Sequence, residues 1–66
     1  MSKYTPGKFL LMSMTASPVG PEFNSPEDAI KWVEKQYAGS NISVIGMDIY
    51  INDECMYFIT PVRSVA

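Results

Sequence analysis

The chain is 66 residues long, 47% hydrophobic and 18% charged, with five Lys and Arg against seven Asp and Glu for a net charge of −2. A chain this short buries only about 60% of its unfolded surface, so its core is shallow and spares no volume for a substrate-enclosing cleft, which argues against an enzyme. The apolar fraction excludes a disordered tail, and the scatter of Lys3, Lys8, Lys31, Lys35 and Arg63 speaks against nucleic acid, whose phosphates call for clustered cations.

Lys8 to Ala16 alternates, with Leu10, Met12 and Met14 on one side and Phe9, Leu11, Ser13 and Thr15 on the other. This period of two predicts a first strand. The polar stretch Met1 to Gly7 and the short apolar run Phe9 to Met14 do not make a secretory signal. No apolar run approaches the about 20 residues of a membrane span, so a cytoplasmic location is expected. Ser17-Pro18-Val19-Gly20-Pro21 reads as a loop.

Ser25-Pro26-Glu27-Asp28 sets a hydroxyl at an N-cap, proline at the first helical position and two carboxylates at the positive helix end. A helix is expected from Pro26 to Ala38, closed by Gly39. Ala29, Ile30, Val33 and Tyr37 form its apolar stripe with Trp32 at the margin, while Lys31, Glu34 and Lys35 lie opposite.

Ile42 to Ile51 is β-branched and alternating and reads as a second strand. Asn52-Asp53-Glu54 supplies a turn, and Cys55 to Thr60 returns as a third strand that stops at Pro61. Pairing Asn52 with Cys55 sets Ile51 opposite Met56, Ile49 opposite Phe58 and Met47 opposite Thr60 on the helix side. The other side then carries Tyr50 opposite Tyr57 and Asp48 opposite Ile59, with Val44, Phe9 and Leu11 alongside. The expected fold is one α+β domain over residues 1–66: a single-layer, three-stranded antiparallel sheet of β-α-β-β order, the third strand lying between the first and second (1-3-2), with one helix packed on one face.

Chemistry-bearing residues are sparse. A lone Cys55 and no histidine remove a disulfide framework, a zinc site and the Ser-His and Cys-His pairings, and Asp53 and Glu54 are too few for a calcium loop. No cofactor and no metal are expected. Cys55, beside two carboxylates, reads as a structural thiol. Asp48 is the one mid-strand acid that a buried setting would suit to proton transfer, and it reads more simply as a charge interrupting an adhesive face. Met12, Met14, Met47 and Met56 read as core filler.

Tyr50 and Tyr57, aromatic with polar tips on a face that no helix covers, are the expected contact anchors. The reading that fits these features is a non-enzymatic protein-binding module that occupies or blocks a surface of a larger partner, in the manner of a small phage-type accessory inhibitor of a host or defence complex. Tyr50, Tyr57 and Ile59 would anchor it, Asp48 would orient it, and the helix surface around Trp32 and Lys35 is the alternative contact. The second strand also exposes an edge guarded only by Asp48, so a self-assembling homodimer is the alternative. A weak nucleic-acid binder using Lys3, Lys8 and Arg63 is a lesser one.

Overall fold

The computed structural model describes residues 4–63. Its elements are β1 (Phe9–Ser13), β2 (Pro18–Phe23), α1 (Pro26–Gln36), β3 (Ile42–Ile45), β4 (Asp48–Ile51) and β5 (Glu54–Pro61). The five strands form one antiparallel sheet in the order β2-β1-β5-β4-β3. The expected three-stranded sheet of order 1-3-2 is therefore wrong, and two local causes account for the additional strands.

The first is the segment read as a loop, which is β2. Ala16 N–H donates to Ser13 O at 2.9 Å and Ser13 N–H to Ser17 O at 2.9 Å, and Ala16 takes a left-handed φ of 62°. That is the geometry of a tight hairpin loop whose last residue is left-handed. Pro18 and Pro21 remove two donors, but β2 is an edge strand, where such losses are tolerated. A register shift between Phe9 and Leu11 absorbs the irregularity.

The second is the ten-residue run from Ile42 to Ile51, which does not form one strand. It folds back at Gly46-Met47 into β3 and β4, with Ile45 opposite Asp48 and Ile42 opposite Ile51. Gly46 has φ 62°, as the first central position of a two-residue hairpin turn demands.

The register of β4 on β5 also departs from expectation. Asn52 and Asp53 both take positive φ, 53° and 66°, as in a type I′ turn, so the closing pair is Ile51 with Glu54, followed by Tyr50 with Cys55. Met56 is then an extra residue, and the ladder resumes with Ile49 opposite Tyr57 and Asp48 opposite Phe58. Relative to the expected pairing, the partner of Ile49 has moved by one residue, which exchanges the two faces of β5. Tyr57 and Ile59 consequently share the helix side with Leu11 and Phe9, since Leu11 pairs with Ile59. Phe58 shares the opposite side with Met12, and Thr60 with Leu10.

The helix forms for the local reasons its sequence supplies. Asp28 N–H donates to Ser25 Oγ at 3.3 Å, Pro26 occupies the first turn with Glu27 and Asp28, and Lys35 lies in the last turn. It ends at Gln36, two residues short of the expected Ala38, where Tyr37 N–H closes on Val33 O at 2.9 Å. Ala29 and Val33 are fully buried against Leu11, Phe23, Ile49, Ile51 and Ile59. The helix lies mainly over β1 and β2. The β3–β4 hairpin, at the far side of the sheet, leaves Val44, Ile45 and Met47 exposed, in a molecule 40 Å long and about half as wide (20 × 18 Å).

Candidate functional site

The side of the sheet away from the helix is built from alternate residues of its strands. Reading across the register, Ile45 of β3 stands beside Asp48 of β4, then Phe58 of β5, Met12 of β1 and Pro18 of β2. A neighbouring row holds Ser43, Tyr50 and Cys55, and the Cys55 thiol donates to Met14 Sδ at 3.7 Å. Met12, Tyr50, Cys55 and Phe58 are half-buried, Asp48 is exposed, and Met14 and Ile45 are 57% and 65% exposed. A sheet face facing water normally alternates to polar residues; here the row Ile45, Phe58, Met12 and Pro18 is apolar, with Asp48 set within it.

Of the residues the sequence proposed for contact, the fold keeps Tyr50 and Asp48 on this face and removes two. Ile59 is only 3% exposed and belongs to the core. Tyr57 packs its ring on Tyr37 of the helix C-cap, centroids 6.0 Å apart and planes at 60°, and the two hydroxyls hydrogen-bond at 2.5 Å. That hydrogen bond, followed by burial and the neighbouring Tyr37 charge when ionised, raises the Tyr57 pKa above its ordinary value. The expected Tyr50–Tyr57 pair does not exist, because Tyr50 faces Cys55. Asp48 is exposed rather than buried, so the setting that would suit it to proton transfer is missing. It also guards no edge: β4 is paired on both sides, and the edge strand beyond it is β3.

Trp32 and Lys35 stand together elsewhere. With Phe23, Asp28 and Lys31 they line an open depression of about 320 Å³ beside the helix. Trp32 is held there by an edge-on contact with Phe23, centroids 6.2 Å apart, and by Gly20. A Cβ on Gly20 would sit 2.9 Å from Trp32 Cζ2, so the indole lies directly against bare backbone. Of the cations named for nucleic acid, Lys8 donates its ammonium to Asn24 Oδ1, Arg63 is exposed, and Lys3 lies outside the described residues.

The sequence reading missed Met12, Phe58, Ile45 and Met14 as surface residues. No residue type marks the first two: a type I′ turn at Asn52-Asp53 moves the register by two and leaves the faces of β5 as expected, and only the extra residue Met56 exchanges them. For Ile45 the signal is Gly46, an isolated glycine in a β-branched run. Among the described residues no three His, Cys, Asp or Glu side chains converge in a way that would hold a metal ion, and no helix is long and apolar enough to cross a membrane. No family model, curated protein or solved structure matches the chain.

Proposed function

We propose that this chain is a non-enzymatic protein-binding module, which acts by seating the helix-free side of its sheet on a larger protein and occluding the surface it covers, as a small accessory inhibitor does. The observation that supports this reading is the apolar band Met12–Phe58 with Tyr50, Met14 and Ile45 beside it, set around Asp48. A patch of this character, rimmed by polar groups, is how a contact site differs from an ordinary surface. Tyr50 and Phe58 supply the rigid aromatic area that dominates such contacts. Asp48, placed among apolar side chains, orients the partner by requiring a cation or donor opposite it.

The test is capture from a lysate of the source cells by the tagged chain, compared with a Met12→Gln/Met14→Glu variant whose circular dichroism is unchanged. Specific capture of a protein by the native chain, lost in the variant and retained by Lys31→Glu/Lys35→Glu, is the expected outcome. Equal capture by the Met12→Gln/Met14→Glu variant contradicts this surface, and loss only in the lysine variant transfers the contact to the depression at Trp32.

A further inference from the structure

We infer that the free edge of β3 is a homodimerisation site, at which a second copy of this chain adds its own β3 antiparallel to the first with Ser43 opposite Ser43. This is separate from the contact proposed for the helix-free face, since an edge is satisfied by backbone and a face by side chains. The two edges of the sheet are unlike. The β2 edge carries Pro18 and Pro21, a left-handed Gly20 and a register shift, each of which obstructs addition of a strand. The β3 edge carries none of these. It is Ile-Ser-Val-Ile, with three of its four residues exposed, and no charged residue occurs from Gly39 to Met47. Natural edges are guarded by charge, proline or bulge, and an unguarded one among proteins of this size is a template for pairing.

Backbone alternation fixes which groups are free. Ile45 and Asp48 flank the two-residue turn and so form a hydrogen-bonded pair. At the other end of β3, Asn52 N–H donates to Asn41 O at 2.7 Å. The odd-numbered residues therefore bond to β4, and Ile42 and Val44 direct their N–H and C=O outward. A closed two-fold pair of antiparallel strands has its axis perpendicular to the sheet, which sets one residue opposite its own copy. With Ser43 at that axis, Ile42 lies opposite the partner's Val44 and Val44 opposite the partner's Ile42. All the outward groups of these residues in both chains are then joined, giving four backbone hydrogen bonds.

The side chains agree with the register. Ile42 and Val44 share the helix side with Ile51 and Ile49, so the seam there is a pair of β-branched contacts, which suit cross-strand packing. On the opposite side the two Ser43 hydroxyls meet, and no like charges face each other. Because the β2 edges are blocked, assembly stops at a ten-stranded sheet with both helices on one side, a closed dimer and not a filament.

Sedimentation velocity on the full chain from micromolar to millimolar concentration is expected to show the mass rise to twice that of the monomer. Ser43→Lys sets two ammonium groups against each other at the axis and is expected to abolish the rise while circular dichroism stays unchanged. In a Cys55→Ser background, Ser43→Cys is expected to form a covalent dimer on mild oxidation, and Val44→Cys, displaced from its own copy in this register, is not. A chain that stays monomeric at millimolar concentration overturns the inference. So does a dimer that persists in Ser43→Lys, or one in which Val44→Cys cross-links and Ser43→Cys does not.

Discussion

Tyr57 shows how one side chain carries the difference between the sequence reading and the fold. Nothing in its own identity says whether it meets Tyr50 across the ladder or Tyr37 on the helix; the extra residue Met56 decides, and the fold delivers it to Tyr37. The consequence is measurable through pH. The Tyr57 pKa is raised in the fold, chiefly by its hydrogen bond to Tyr37, so the native state favours the protonated phenol. That contribution is fully present below the unfolded value of about 10 and is lost as pH rises through the higher folded value. Thermal unfolding followed by circular dichroism is therefore expected to show a midpoint that falls in this alkaline range. Tyr37→Phe, which removes the hydrogen bond, is expected to flatten that fall and to cost about 1 kcal/mol at neutral pH. Gly20 is the second decisive residue. Its φ of +72° and the indole against its α-carbon exclude a side chain for two independent reasons, and Gly20→Ala is expected to destabilise by about 1–3 kcal/mol in urea unfolding.

At the scale of elements, what was legible is what local chemistry specifies alone. Ser25 and Pro26 start α1 and its stripe buries Ala29 and Val33, because cap and periodicity need no information from elsewhere in the chain. Ser25→Ala is accordingly expected to cost about 1 kcal/mol, read as a lowered urea midpoint at unchanged slope. Strands are different, because their pairing decides them. Pro18-Val19-Gly20-Pro21 has the composition of a loop and becomes β2 only because β1 offers it an outer edge that tolerates missing donors. The run Ile42 to Ile51 has the pattern of one long strand, and Gly46 is its only mark of a turn. The faces of β5 after Cys55 are exchanged by the extra residue Met56, which no residue type announces, since a slip of one position exchanges every side chain that follows. Asp48 and Tyr50 kept their face while Tyr57 and Ile59 changed theirs, so half of the expected aromatic pair survived in the candidate site.

For the whole molecule, one helix over β1 and β2 cannot cover five strands. The uncovered area divides into two surfaces of different chemistry: an apolar sheet face around Asp48 that suits side-chain contact with a larger protein, and the unguarded β3 edge that suits backbone pairing with a copy. The β3 edge rests on the Gly46 turn and the β3–β4 register, and the sheet face rests on the placement of β5 residues that the Met56 bulge sets. A proton nuclear Overhauser spectrum of the monomeric Ser43→Lys variant, with aromatic and methionine methyl groups assigned, tests that placement without a partner. Cross-peaks between the Tyr57 and Tyr37 rings and between Phe58 and Met12 are the predicted result. Cross-peaks between the Tyr57 and Tyr50 rings, with Phe58 contacting the helix, would return Tyr57 to the open face and contradict the sheet-face contact.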